Sequence, residues 1–484
     1  MAAAAFGGRW RANAAPTSEG NAMDRVETGE MAATRDRAFC ELLGRELMCA
    51  LGCTEPIAVA YAAALARAVL GCEPTSIEVG CSGNIIKNVK SVTVPNSGGM
   101  RGVEAAAVLG TVGGNPTGAL EVLADITPDE LARTHELLDA AGYCAVSLIE
   151  GVPNLYIEVR ATSAGHTAEV AISEHHTNVV RCTLDGAACD RACPAASAGA
   201  KAGQGCSGSC AHAGAPSVKP EQGSAVERVE GLSLEAIVDF AESGDIGAAR
   251  DILQRQIELN DAISREGLVG VWGAEVGRTL MATRGDDVAC RARARAAAGS
   301  DARMGGCSLP VVIVCGSGNQ GITCCLPVLT YAEELGVAGE RLLRAQALSD
   351  LVAIHVKSYI GALSAFCGVV CAAAGAGAAI TWMSGGTREQ IGATVVNTLG
   401  NVGGIVCDGA KASCAAKISA AVDAAILGHD MAMAGRGFKP GEGLVLDSAE
   451  DTIASMGYVG RVGMGPTDVE ILNIMIGKTD PVGC

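Results

Sequence analysis

Across residues 34–70 the apolar positions recur at helical spacing, with Phe39, Leu42, Leu43 and Leu47 on one stripe. The stripe stops at Gly52-Cys53-Thr54-Glu55-Pro56. A second helix, residues 57–70, follows with Thr54 as its cap and Pro56 in its first turn. Between residues 75 and 185 the period shortens to two. Segments 76–79, 89–94, 146–149, 155–159 and 168–172 read as strands, and 102–113 and 128–141 as helices. The helix at 128–141 opens on Thr127 as cap and Pro128 at its first position, with Asp129 and Glu130 complementing the dipole. From Ser233 onward the spacing is helical again, over 234–242, 246–259, 291–298, 341–357, 388–399, 415–427 and 467–476.

These runs predict an α+β fold: a mainly helical catalytic domain, residues 34–74 and 228–484, carrying an inserted α/β domain at 75–186. A disordered tail, 1–33, and a flexible Cys-rich insert, 187–227, complete the chain. The insert holds Cys189-x3-Cys193 and Cys206-x3-Cys210 followed by His212, a pattern that can bind zinc. It has few large apolar residues to pack over such a site, so a linker is the preferred reading. Residues 358–387 carry no charge and are long enough for a bilayer span, but they are mostly Ala, Gly, Ser and Cys. With no second comparable run, they are expected to form a buried central helix, and no membrane partner is expected.

Composition narrows the function. A net charge of −17 argues against nucleic acid or an anionic membrane as a partner. Aromatics make up only 3% while Ala and Gly abound, so helices are expected to approach closely through small residues. The 21 cysteines are an odd count in a long chain, which points away from a disulfide scaffold and toward metal-binding or catalytic thiols. No continuous apolar core occurs in the first thirty residues, so no signal peptide is expected and the compartment expected is the reducing cytoplasm.

Candidate chemistry concentrates between residues 362 and 414. Cys367, Cys407 and Cys414 are soft ligands that suit an iron–sulfur cluster or zinc, although small buried residues are the plainer reading of any free Cys. Gly403-Gly404 before Cys407 and Asp408-Gly409 after it suggest a loop bent around something. Cys53 falls at a helix N-terminus, where the dipole lowers a thiol's pKa and favours a ligand or nucleophile; a small residue in a tight turn is the alternative. Gly316-Ser317-Gly318-Asn319-Gln320-Gly321 follows an apolar run and fits G-x-G-x-x-G in form. The second strand ending in an acid is missing, so the loop reads instead as free amides at a helix start, suited to a carboxylate. Arg303, just upstream, could pair with that carboxylate or be locked by Asp301. Loop 80–88, with Ser82, Asn84 and Lys87, and the loop His175-His176-Thr177-Asn178 offer further polar groups.

Taken together, Gly52-Cys53-Thr54-Glu55-Pro56, residues 300–306 (SDARMGG), residues 316–323 (GSGNQGIT), residues 363–367 (LSAFC) and Cys407-Asp408-Gly409-Ala410-x3-Cys414 resemble the L-cysteine desulfidase family. That family is related to the iron–sulfur L-serine dehydratases and is alpha-chain-like. The motifs span most of the chain; the N-terminal tail and the Cys-rich insert depart from the pattern. The resemblance implies an oxygen-sensitive [4Fe–4S] cluster and conversion of L-cysteine to pyruvate, ammonia and sulfide, with L-serine dehydration as a close alternative. It carries the cluster onto Cys367, Cys407 and Cys414, with Cys53 as a further ligand or active-site thiol. Cys371 and the Cys324-Cys325 pair are alternative ligands, and Cys484 is either an internal plug on the open iron or a frayed end. Substrate contacts are expected from Thr54, Glu55, Asn84, Arg303, Ser317, Asn319 and Gln320. The base is sought among Lys87, His175, His176 and His355, residue types that can be tuned for proton abstraction near neutrality. A small amino-acid substrate and a homo-oligomer are the expected partners. A non-catalytic metal or redox sensor built on the insert is the competing class.

Overall fold

The computed structural model describes residues 20–189, 231–361 and 363–481. Helix α1 (Gly20–Glu46) leads into strand β1 (Met48–Leu51) and, after a turn at Gly52 and Cys53, helix α2 (Thr54–Leu70). Phe39, Leu42, Leu43 and Leu47 are buried as their spacing predicts, and Phe39 meets Phe240 edge-on. Helix α1 begins inside the tail expected to be disordered. Pro16 is the last proline before it, and the stretch that follows is rich in Ala, Glu and Arg, which favour helix. Residues 20–33 of that stretch are helical, and residues 1–19 lie outside the described residues.

The α/β unit runs through β2 (Ser76–Cys81), α3 (Gly83–Val89), α4 (Val103–Gly113), α5 (Pro128–Asp139), β3 (Cys144–Leu148), β4 (Tyr156–Ser163), β5 (His166–Ser173), β6 (Val179–Leu184) and β7 (Ala187–Ala188). The six strands pair in the order β3-β2-β4-β5-β6-β7. β2 and β3 are parallel, joined through the helices, and the remaining pairs are antiparallel. Ile157, Val159 and Ala161 alternate inward on β4. Helix α2 covers β4 and β5 and packs on α4, so it belongs with the sheet rather than with the helical domain to which residues 34–74 were assigned. The expected strand at 89–94 is also corrected. Ile85, Val89 and Val92 are all buried at spacings of four and three, a helical period that carries α3 and the turn after it. The polar loop expected over 80–88 is therefore the end of β2 and most of α3.

The helical body comprises α6 (Leu234–Ser243), α7 (Arg250–Val269), α8 (Val276–Arg284), α9 (Val288–Met304), strand β8 (Pro310–Ile313), α10 (Gly318–Leu335), α11 (Glu340–Ile360), α12 (Val369–Met383), α13 (Arg388–Val402), α14 (Cys414–Met433), α15 (Ala449–Tyr458) and α16 (Gly465–Met475). Helix α12 lies at the centre, enclosed by α10, α11, α13 and α14. A Cβ at Gly375 would overlap the Ser349 carbonyl on α11, so the uncharged run 358–387 owes its small residues to helix–helix approach. Among the described residues no helix is long and apolar enough to cross a membrane. β8 pairs antiparallel with β1, Met48 opposite Ile313, and fastens the N-terminal segment to the helical body. The fold is α+β and mainly helical. Of the Cys-rich insert, residues 190–227 lie outside the described residues, as does Cys484.

Candidate active site

A cavity of about 1440 Å³ opens between the α/β unit and the helical body. Its wall takes in the start of α2, helix α3, the end of α9, the 315–320 loop, residues 363–369, the 407–414 loop and the start of α16. Each piece comes from a different part of the chain.

Cys367 and Cys407 are brought together by a short antiparallel contact. Phe366 bridges Val406, with Cys367 N–H donating to Ile405 O at 2.9 Å and Cys407 N–H to Ala365 O at 2.6 Å. The chain then bends at Gly409, whose φ is +92° and where a Cβ would overlap the Lys87 carbonyl oxygen. Only glycine fits there. Cys414 opens α14, and Cys53, the N-cap of α2, packs with Val92 and Met304 against Ala410 and Cys414. Cys53, Cys367, Cys407 and Cys414 all line the cavity. Cys371, Cys324 and Cys325 are buried elsewhere in the helical packing and do not line it.

The electrostatics of these thiols differ. The Cys367 thiol donates to Cys407 and, with Lys87 and Lys357 nearby, holds Cys407 below the usual thiol range against the opposing effect of burial. Burial, reinforced by Glu55, pushes Cys53 well above its ordinary value, and its Sγ donates to Glu55 Oε2 at 3.1 Å. The expectation that the helix N-terminus would lower the Cys53 pKa is corrected. Desolvation and an adjacent carboxylate outweigh the dipole.

Among the described residues no three His, Cys, Asp or Glu side chains close on a point as the ligands of a single ion do. A four-iron cluster is larger than a single ion and takes its thiolates from separate parts of a chain. The donor set suits such a group: three or four sulfurs on one wall, one of them already biased to thiolate.

The rest of the lining carries many polar side chains. Glu55 is buried and accepts from Asn88 Nδ2 at 3.0 Å as well as from Cys53. Thr54 Oγ1 donates to Gly316 O at 2.8 Å and ties α2 to the glycine loop. Arg303, 2% exposed, donates Nε to Gly52 O at 2.8 Å, and its guanidinium lies against Gly318 at the start of α10. No carboxylate pairs with it among the described residues. Asp301, the alternative partner, turns away to accept from Gly277 N–H at 3.1 Å and Ala274 N–H at 3.3 Å. Ser317 caps α10, and beyond it the amide oxygens Asn319 Oδ1 and Gln320 Oε1 are buried without a donor.

The candidate bases separate clearly. Lys87, 2% exposed, is ion-paired with Asp468 of α16, which also accepts from Asn84 Nδ2 at 2.8 Å. His355 lies outside the cavity lining, where its Nε2 meets Glu450 Oε2 at 2.7 Å and joins α11 to α15. His175 is exposed. His176 packs its ring on Gly316, with Nε2 buried and unpartnered. Burial holds its pKa below 6.5 against the pull of Glu55, so the imidazole is neutral near pH 7. The structure thus groups Cys53, Thr54, Glu55, Asn84, Lys87, Arg303, Ser317, Asn319, Gln320, Cys367, Cys407 and Cys414 near one cavity and leaves His355 out. Lys357 and Asp468, also on its wall, carried no local signal in the sequence.

A family model described as serine dehydratase alpha chain matches residues 118–473. A protein of Finegoldia magna named UPF0597 protein is 47% identical over 442 residues, 91% of this chain and 99% of that relative. The UPF0597 protein of Lachnoclostridium phytofermentans is 45% identical over 440 residues, again 91% and 99%. That of Treponema denticola is 41% identical over 463 residues, 92% of this chain and 98% of its own.

Proposed function

The chain belongs to the serine dehydratase alpha-chain family, and on that premise we propose that it is a lyase removing the β-substituent of a small L-amino acid. The substrate in this reading is L-cysteine, which yields pyruvate, ammonia and hydrogen sulfide; L-serine, with water leaving, is the alternative. Cys367, Cys407 and Cys414 hold a [4Fe–4S] cluster. When bound, such a cluster supplies an open iron as a Lewis acid toward the substrate.

The observation that carries the reading is one cavity lined both by thiols and by a buried guanidinium with no ion-paired carboxylate among the described residues, together with two orphaned amide oxygens. A buried cation without an acid partner suits a ligand carboxylate, and buried acceptors without donors suit an ammonium. Arg303 and the free amides at the start of α10 therefore take the α-carboxylate. Asn319 Oδ1 and Gln320 Oε1 accept from the α-ammonium. His176 Nε2 takes the α-proton, and Glu55 steadies the imidazolium that results. The β-sulfur departs as hydrosulfide, and water completes the path from aminoacrylate to pyruvate and ammonia. Cys53 donates to Glu55 and serves as an active-site thiol.

The test uses anaerobically reconstituted protein, with sulfide release measured from L-cysteine and pyruvate from both amino acids. Pyruvate and sulfide in equal amounts support the cysteine reading, pyruvate from serine alone shifts it to the alternative, and pyruvate from neither refutes both.

A further inference from the structure

Lys357, in the last turn of α11, is 2% exposed and stands on the cavity wall. The lysines around it each have an acid: Lys87 has Asp468, and Lys411 and Lys417 share Asp408. Lys357 has none among the described residues. Three thiols, Cys407, Cys371 and Cys315, feel its charge. Cys371 and Cys315 are themselves buried, so no solvent shell replaces the missing acid.

A buried ammonium is retained only where an anion balances it. Among the described residues the cavity wall holds two buried cations without carboxylate partners, Arg303 and Lys357, whereas an amino acid brings one carboxylate. Arg303 lies with Asn319 and Gln320, the acceptors suited to the same zwitterion. Lys357 instead faces Cys407, beside which Cys367 also lies. Glu46, the acid on this wall that also reaches Cys315, is already engaged by Arg45 Nε at 3.3 Å, so the second negative charge comes from the thiolate side.

We infer that Lys357 is the counter-cation of the thiolate seat: its ammonium balances the charge that Cys367, Cys407 and Cys414 carry when they hold the cluster, and so retains the loaded form. This rests on the cofactor reading above. It adds a residue that binds neither iron nor substrate and acts through its field, as outer partners do at other metal sites.

The full-length protein, its Lys357→Met variant and its Lys357→Arg variant are reconstituted anaerobically with iron and sulfide. Iron per chain, the rate of iron loss to a chelator and the cluster's midpoint potential are then measured. Lys357→Met is expected to lose iron at least about tenfold faster. Its potential should be more negative, because a neutral residue disfavours the added electron, and Lys357→Arg should restore both. Without cluster, Lys357→Met should melt no lower than wild type, since it removes an uncompensated buried charge. A lower melting temperature in that cluster-free protein would make Lys357 a structural residue and overturn the inference. So would unchanged iron loss and potential, or a raised KM for the amino acid with the cluster unaltered, which would make the ammonium a carboxylate anchor. Wild type that takes up no iron sinks the cofactor reading and the inference together; wild type that loads beside an indistinguishable Lys357→Met sinks the inference alone.

Discussion

Asp350 lies on α11, fully buried, two turns before Lys357. Its Oδ1 accepts from Gln256 Nε2 at 2.9 Å and its Oδ2 from Gln346 Nε2 at 3.1 Å, with no cation paired to it. Burial pushes its pKa from 3.8 up to about 7, the two amide donors offsetting only part of the cost. Between those values the folded chain keeps a proton that the unfolded chain has released. The unfolded state then binds fewer protons, so stability falls as pH rises from about 4 to about 7. The gap between 3.8 and about 7 amounts to about 4 kcal/mol. Asp350→Asn abolishes this titration and keeps the shape. The difference in unfolding free energy between variant and wild type should be near zero at pH 4 and should grow in the variant's favour to about 4 kcal/mol by pH 8. Urea unfolding of the reduced, cluster-free protein across that range measures it, and taking the difference cancels the other titrating groups. A flat difference, or a variant less stable at pH 8, would refute an acid kept neutral by burial.

Three further outcomes follow from the site. Gly409→Ala places a side chain at positive φ against the Lys87 carbonyl, so it should cost about 1–3 kcal/mol in unfolding free energy and lower the iron bound per chain on reconstitution. Arg303→Gln removes the carboxylate partner, and kcat/KM should drop by roughly a hundredfold or more, mainly through KM, with iron content unchanged. His176→Gln should slow α-hydrogen exchange of the substrate in D2O, followed by NMR, by about 10²–10⁴-fold. It should also remove the acid limb of the wild-type kcat/KM profile, which falls as pH drops through the depressed His176 pKa.

Much of the architecture was legible because it is local. The Phe39–Leu47 stripe, the strand alternation in β4 and β5, and the capping boxes at Thr127 and Thr387 depend only on residues within a few positions of one another. Misreadings arose where a short apolar run fits two periods: Val89, Val92 and Val94 alternate loosely on paper, yet they are buried through the exit from α3. Residues of the candidate site were legible as types and motifs but not in their states. Lys87 read as a candidate base, because its partner Asp468 lies 381 residues away. Cys53 read as an activated thiol, because the position of Glu55's carboxylate relative to its sulfur is a rotamer outcome rather than a sequence pattern. Lys357 gave no signal, since burial without a partner is a property of the assembled wall.

Glu55 and His176 face the same space but cannot exchange roles. Burial opposes the Glu55 carboxylate, yet the neighbouring His176, the Cys53 thiol and Arg303 bring its pKa below 4.5. The His176 contribution to that shift requires imidazolium, and burial keeps His176 neutral near pH 7, so there the carboxylate relies on Cys53 and Arg303. At neutral pH the pair is thus a carboxylate whose oxygens are already engaged and an imidazole whose Nε2 has no partner. A proton arriving between them goes to the nitrogen, because protonating Glu55 would sacrifice its bonds from Cys53 and Asn88. Once protonated, His176 stands beside the Glu55 carboxylate, whose charge offsets the opposing fields of His175 and Arg303. Two titratable groups held apart in this way divide the labour, one accepting and one stabilising. Because Glu55 comes from α2 and His176 from the turn after β5, both roles belong to the α/β unit, while the thiolate wall belongs to the helical body.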